Sequence, residues 1–513
     1  MSNHWNEGYF TDVAYTHGYY NETNPVFQRF CLLLSGYEVR ESASHQHCEL
    51  GFGQGVSLAV HAAAQPGLFM GTDFNPAHAA HAQALVNAAG AEAQVFDDSF
   101  EQFLDRTEGA LFDSISLHGI WTWVSRENHR VIAEFARQRL KPGGVLYISY
   151  NCFPGWSPAY PLRQLFALHD RFASTSPNAD QRVDAALSFA HKLLEAEPAY
   201  AKAVPSLSQH LSQIAKQDKH YLAHEYFNQE WNCMYFTDVV DALAKAKLDF
   251  ACKAAPLESV DSLNINPPGL EFLASIAHPL LREQARDYFV NQRFRKDLFL
   301  RGAQRLNPAV QKQRLLATRF VLLKPVNEVS LKIPCALGEA VLQETTYRPL
   351  LEALAAEQYT PKTLQQLCPV LPDTSLSQLI EAVTILVGAR ALAPCQSEAQ
   401  TQQVQERCAA LNRHLNERAL TSPDIATLAS PVTGGGIDVG RFPKMFLHAR
   451  AQGLETPADW ARIAWQALAA QGQTLTKEGE PIVGNEASVA ELTRIATEFA
   501  ERRLPVLRAL QIA

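Results

Sequence analysis

The sequence predicts an α/β fold: a Rossmann-like domain in the first third, followed by mostly helical middle and C-terminal domains with a winged-helix-like element in the last. Three observations predict it. Short apolar runs alternate with helical stretches between residues 47 and 150. A glycine-rich turn, Gly51-Phe-Gly53-Gln-Gly55, follows the first of those runs. The strand signal then fades after Pro161. A chain of 513 residues, at roughly 100–200 residues per domain, divides naturally into three. The expected boundaries are 1–165, 166–325 and 326–513.

Residues 1–30 are rich in aromatics (Trp5, Tyr9, Phe10, Tyr15, Tyr19, Tyr20, Phe27, Phe30) and read as a lid-like segment. Asn24-Pro25 starts a helix that runs to Leu34. Cys48-Glu49-Leu50 is a strand end, and Val56–Ala64 a helix stopped by Pro66-Gly67. Leu68–Thr72 is the second strand. Pro76–Ala89 is an alanine-rich helix with Gly90 at its C-cap. Ala93–Phe96 and Phe112–Leu117 are the third and fourth strands. Asn128–Leu140 is a helix ended by Lys141-Pro-Gly-Gly144, and Val145–Tyr150 is the fifth strand. Strands spaced by such helices imply βαβ units and a parallel sheet.

Residues 162–320 read as mostly helical. Within them, Arg282–Lys324 holds eleven Lys/Arg against three Asp/Glu, in a chain whose net charge is -8. Such a stretch is a solvated helix face, an internal partner for acidic patches, or a docking surface for an acidic protein. In 340–400, Leu376, Leu379, Ile380, Val383 and Leu386 share one helical face, with Ser375 or Thr374 as the cap. Three helices followed by Ala391-Leu-Ala393 outline a winged helix. The last helix spans about Ala487 to Arg503, and Pro505 is expected to end or kink it.

Several function classes are excluded. The acidic balance (sequence pI about 6.1) is wrong for a protein that coats nucleic acid. The winged-helix outline does not change this, because Leu376–Leu386 carries one acid and no Lys or Arg. No segment approaches the roughly 20 apolar residues of a membrane span. The polar start, Met1-Ser-Asn-His-Trp, lacks a signal-peptide core. Nine cysteines without a CxxC pair fit reduced thiols, so the expected location is the cytoplasm. His45 and His47 alone do not make a metal site, and no metal is expected. Thr433-Gly-Gly-Gly436 lacks the Lys-Ser/Thr of a phosphate cradle.

The informative motif is Glu49-Leu-Gly51-Phe-Gly53-Gln-Gly55. Glycines let the backbone turn sharply and let a ligand come close. The helix behind the turn offers free N–H groups. A dinucleotide turn, G-x-G-x-x-G, would need glycine at position 56, which is valine. The acid two residues before Gly51 would repel a pyrophosphate and attract an ammonium group. Asp73 ends the second strand in Gly71-Thr-Asp-Phe-Asn-Pro76, where a carboxylate can accept from both hydroxyls of a ribose.

This E-x-G-x-G-x-G turn resembles the first motif of class I methyltransferases. The resemblance implies S-adenosylmethionine as cofactor and S-adenosylhomocysteine as product. It also implies a cofactor site of Glu49, Gly51, Phe52, Gly53, Gly55, Asp73, Phe74, Asn75, Asp97, Asp98, Ser99 and His118. Glu49 would meet the ammonium group, and Asp97 or Asp98 the adenine amino group, with Phe96 and Phe100 nearby.

Further segments are His118-Gly-Ile-Trp-Thr-Trp-Val124, Tyr150-Asn-Cys-Phe-Pro-Gly-Trp156, His224-Glu-Tyr-Phe-Asn228, Phe294-Arg-Lys-Asp-Leu-Phe299 and Arg502-Arg-Leu-Pro-Val-Leu-Arg-Ala-Leu510. Together they resemble bacterial methyltransferases with a methyltransferase regulatory domain, a family that includes rickettsial protein-lysine methyltransferases of outer-membrane proteins. The resemblance implies a regulatory middle region, an open cavity, a protein substrate and a homodimer. Methyl transfer is an in-line displacement that needs an aligned, desolvated nucleophile. Tyr15, His118, Trp121 and Asn151 are the expected wall at the reacting end, drawn from a set that also holds Tyr9, Trp123, Tyr150 and Trp156. Two alternatives stay open: methylation of a small molecule or glycan, and a module that binds the cofactor without turnover.

Overall fold

The computed structural model describes residues 16–39, 44–217, 219–228, 230–477 and 479–513. Its central sheet has seven strands: β1 (His45–Leu50), β2 (Gly67–Thr72), β3 (Ala93–Phe96), β4 (Phe112–Leu117), β5 (Leu140–Asn151), β6 (Leu248–Lys253) and β7 (Phe294–Arg301). They lie in the order β3-β2-β1-β4-β5-β7-β6. Strands β1 to β5 pair in parallel, and β7 runs antiparallel to both β5 and β6. The winding reverses between β1 and β4, which is where a doubly wound sheet opens a crevice at the carboxyl ends of its strands.

Helices α1 (Pro25–Leu34), α2 (Val56–Ala64), α3 (Pro76–Ala89), α4 (Phe100–Arg106) and α5 (Arg126–Arg139) accompany these strands. Their ends follow from local chemistry. Asn75 accepts from the Ala77 N–H ahead of Pro76, and Gly90 closes α3 in the left-handed region. Ser99 and Gln102 form a reciprocal capping box on α4. The expected helices at 56–64 and 76–89 and the strands at 93–96 and 112–117 coincide with the observed ones. β1 begins earlier, at His45; α5 ends at Arg139, ahead of the Lys141-Pro-Gly-Gly144 expected to stop it, and β5 takes in that segment over Leu140–Asn151.

The middle region departs from its helical expectation in one respect. Helices α6 (Tyr160–Ala173), α7 (Ala179–Glu195), α8 (Ala199–Ala203), α9 (Leu207–Ile214) and α10 (Lys219–Phe227) form an insert with its own core, including Leu162, Phe166, Val183 and Leu211. Helix α11 (Phe236–Ala244) then leads back into β6, and β7 follows, so the sheet takes strands from both sides of residue 165. β7 is disguised in the sequence by its charges. Arg295 is fully buried and donates to Asp297 (2.8 Å), to Asp287 (2.6 Å) and to Glu283 (2.9 Å). The Tyr150 hydroxyl donates to Asp297 across the β5–β7 pair at 2.6 Å. Much of the basic excess of 282–324 is used in this way: Lys296 pairs with Glu22, Arg314 with Glu38 and Arg319 with Glu398.

In the C-terminal third, Leu376–Gly388 is a helix with Ser375 as its cap. The strand after it, Leu392–Pro394, runs beside Arg319–Leu322 in a three-stranded sheet completed by Lys362–Thr363, and the chain then enters the long helix Glu398–Arg418. Pro505 does not end the last helix: a π-turn at Phe499–Arg503 carries Asn485–Glu498 into Leu504–Ala509, with Pro505 in its first turn. The largest core joins Val56, Val60, Leu85 and Val86 of α2 and α3 to Leu411, Leu415, Phe446 and Trp460 of this region. Every residue of α2 is buried, which explains its unpatterned Ala/Val sequence.

Candidate cofactor cleft and active site

The motif turn sits where β1 ends. Gly51 has φ +70°, and a Cβ there would stand 2.3 Å from Ile120 Cδ1. Gly55 has φ +71°, and its Cβ would stand 2.3 Å from Ala82 Cβ. The first glycine thus admits the turn beside the loop after β4, and the third lets α2 pack closely on α3. The Gly51 N–H donates to the Thr72 carbonyl at 2.8 Å, tying the turn to β2.

Asp73, one residue past β2, is held on three sides. Its Oδ2 accepts from the Gly53 N–H (2.9 Å), and its Oδ1 accepts from the Asn75 N–H (3.1 Å) and meets His78 Nδ1 (3.0 Å). Each carboxylate oxygen can accept more than one bond, so this clamp leaves capacity for a diol. Past β3, Asp98 is paired with Arg106, whose guanidinium lies over the Phe96 ring at 4.6 Å from its centroid.

Glu49 is buried, and its Oε2 has no hydrogen-bond partner among the described residues. Burial first, and the neighbouring Asp73 second, push its carboxyl up to about 8. Among the described residues no cation acts on it. Ligand atoms of His47, Glu49 and His61 lie within 4.8 Å of one another, and burial pushes the His47 imidazole down to about 3 and His61 well below its ordinary value. The outer nitrogens of these imidazoles are bonded to Ser114 and Tyr19. A cation reaching Glu49 from the cleft would therefore meet an acid with an unmet demand for one.

These groups face one cleft, lined from the Gly51 turn, the ends of β2 and β3, the loop after β4, and Thr16, Gly18 and Tyr20. Of the expected cofactor residues, Glu49, Gly51, Phe52, Gly53, Asp73, Phe74, Asp98, Ser99 and His118 line it. Gly55 and Asn75 stand behind the lining as packing and cap. Asp97 is exposed and lies outside the lining, so of the two acids after β3 it is Asp98 that reaches the cleft.

The expected reacting-end wall divides. His118 stacks under the Tyr20 ring at 3.8 Å between centroids, and its Nδ1 is 2.8 Å from the Tyr147 hydroxyl. Burial pushes His118 down to about 4, with Glu22 opposing. Asn151 lines a second cavity that shares Tyr20, His118, Gly119 and Trp123 with the first. Trp121 does not face either cavity. It is fully buried and stacked on His129 at 4.2 Å, because the 3₁₀ turn Trp121–Trp123 directs the first indole into the core and the second into the cleft. Tyr15 lies outside the described residues. Tyr20, one of the aromatics of the N-terminal segment, and His78 also line the cleft. The signal for His78 was available, since a side chain three residues into a helix reaches back past the cap, here to Asp73.

Comparison with known proteins agrees with this geometry. The family described as "Predicted methyltransferase regulatory domain" matches residues 218–301. The uncharacterized protein sll1526 of Synechocystis sp. is 36% identical over 512 residues, which is 99% of this chain and 100% of that one. The uncharacterized protein RP789 of Rickettsia prowazekii is 26% identical over 331 residues, 63% of this chain and 58% of its own. Among solved structures, PKMT2 from Rickettsia typhi in complex with AdoHcy superposes with a TM-score of 0.70 at 16% identity, covering 97% of this chain and all of that one. The fold is therefore that of PKMT2 along nearly the whole chain. The chain belongs to the family of the uncharacterized protein sll1526, and within its Rossmann-like fold it carries a segment that matches the predicted methyltransferase regulatory domain.

Proposed function

We propose that the protein binds S-adenosylmethionine in the cleft and transfers its methyl group to the side-chain amine of a protein lysine. The observation that carries the cofactor assignment is the row of carboxylates at the ends of three adjacent strands. Glu49, Asp73 and Asp98 are spaced along one cleft beside a glycine turn. They suit an ammonium group, a ribose diol and an adenine amino group respectively. Phe52, Phe74 and Phe100 supply apolar surface between them. The likeness to PKMT2, whose structure holds AdoHcy, supports the same reading.

The cofactor supplies a methyl group on a positively charged sulfur, so no protein nucleophile is required. The lysine ammonium must first lose a proton to solvent; its lone pair would then form the N–C bond as the S–C bond breaks with its electrons left on sulfur, giving a methylated ammonium. His118 near 4 is poorly matched to a lysine ammonium of about 10.4 as a base. Its work, with Tyr20 stacked on it, is to fix the wall between the two cavities and keep water from the reacting atoms. The rate is therefore expected to climb with pH through the alkaline range. The nine cysteines are all unpaired, which supports a cytoplasmic setting.

The test is transfer of labelled methyl from S-adenosylmethionine into fractionated lysate, followed by mass spectrometry of the labelled species. Methyl-lysine in a protein supports the proposal. Label in metabolites or polysaccharide overturns the lysine assignment, and absence of label alongside confirmed cofactor binding overturns turnover.

A further inference from the structure

The 218–301 segment carries the description of a regulatory domain, yet it does not stand apart from the cleft. Its strands β6 and β7 complete the central sheet beside β5. Residues from two parts of it, His224, Glu225, Tyr226 and Asn228 and then Arg293 with Phe294, line the second cavity. The remaining wall comes from α9 of the helical insert, through His210, Gln213 and Ile214, from Gln217 just after it, and from the ends of β4 and β5.

The two cavities meet at Tyr20, His118, Gly119 and Trp123. An atom that attacks in line from opposite the sulfur must approach from the side away from the cofactor, and the second cavity lies across that shared wall. Of its lining, Asn151, Trp156 and Asn228 are buried, while Arg293, Gln213 and Gln217 are exposed. The Arg293 guanidinium lies over the Trp156 ring at 4.1 Å, and its Nη2 is 3.4 Å from His210 Nε2. The Trp156 face thus already accepts a cationic nitrogen. Asn151 is fixed next to it by its N–H bond to the Thr122 hydroxyl at 2.8 Å.

We infer that the second cavity is the acceptor channel, that the 218–301 segment together with α9 builds its outer wall, and that it takes an extended aminoalkyl chain across the Trp156 ring toward Asn151 and His118. On this assignment the segment selects the acceptor, and Arg293 is the group the incoming chain displaces from Trp156. The inference rests on the cofactor assignment made above and goes beyond it.

The experiment uses two defined probes on the full chain: S-adenosylhomocysteine, and an adenosyl analogue in which an aminoalkyl arm of lysine length extends from the position of the transferred methyl. Isothermal titration should show the arm tightening binding at least tenfold over S-adenosylhomocysteine in the wild-type protein. Trp156→Ala and Asn228→Leu should abolish that gain while leaving S-adenosylhomocysteine affinity unchanged, which also shows that the variants are folded. Arg293→Ala, at an exposed position, should retain or increase the gain, since it removes the competing cation. An analogue with an uncharged alkyl arm of equal length should gain much less. Binding of S-adenosylhomocysteine with no gain from the arm, or a gain that survives both wall variants, overturns the channel assignment alone. Failure of S-adenosylhomocysteine to bind overturns the cofactor assignment instead.

Discussion

Glu49 concentrates the chemistry of the cleft in one side chain. Its carboxyl, raised to about 8 from an ordinary 4.5, must lose a proton to meet an ammonium group. Cofactor affinity should therefore rise with pH up to about 8 and level off above it, with proton release on binding near pH 7, measurable by titration calorimetry in buffers of different ionisation enthalpy. Glu49→Gln should flatten that profile and weaken binding by about 10- to 100-fold at pH 8.5, the worth of a charge-assisted hydrogen bond of roughly 1.5–3 kcal/mol. The same residue acts on stability. Because its folded value lies above its ordinary one, the stabilisation it contributes is whole below about pH 4.5 and is lost as pH rises through 8. The cofactor-free protein should thus melt higher in Glu49→Gln than in wild type at pH 8.5, with the gap closing at pH 5. A second residue-scale prediction concerns Gly51→Ala. With φ at +70° and Ile120 in the way, it should cost about 1–3 kcal/mol of stability, read by urea denaturation, and also weaken cofactor binding.

At the scale of elements, the buried charges of β7 hold the far half of the sheet together. Arg295→Met would take the cation from Asp297 and leave the buried Lys253 alone to face Asp287 and Glu283. Breaking such a network by removing one partner costs about 3–5 kcal/mol, so a clear fall in the thermal midpoint is expected. Double substitution of Arg295 and Asp297 by apolar residues should recover part of that loss. The same charges explain what was legible in the sequence. The strands and helices of 45–150 follow hydrophobic runs and caps, and their order could be read directly. Strand β7, Phe-Arg-Lys-Asp-Leu-Phe-Leu-Arg, carries its partners inside the protein and so imitates a basic solvent-facing helix. The Gly51 turn and the acids at 49 and 73 were legible because ligand chemistry fixes their type and spacing. Which ring faces the cleft was not, because Trp121 and Trp123 are separated only by the sense of a short 3₁₀ turn.

For the whole molecule, the C-terminal third is part of the cofactor domain's support. Gln65 donates to the Gly434 carbonyl at 2.7 Å, Asn24 to the Thr433 carbonyl at 3.4 Å, and Cys408 to the Ala63 carbonyl at 3.4 Å. The helix Glu398–Arg418 covers the outer faces of α2 and α3. Truncation after residue 395 would bare that apolar face, so the shortened chain should be insoluble or unable to bind cofactor. The intact protein should instead unfold with the cofactor domain and C-terminal region in a shared calorimetric transition that S-adenosylhomocysteine raises. Among the described residues no helix is long and apolar enough to cross a membrane. A crystal structure of the protein with S-adenosylhomocysteine bound should show the amino group on Glu49, the ribose hydroxyls on Asp73 and the adenine between Phe52 and the Asp98–Phe100 segment. A nucleoside bound elsewhere, or a cleft that stays empty at saturating ligand, would contradict the cofactor assignment.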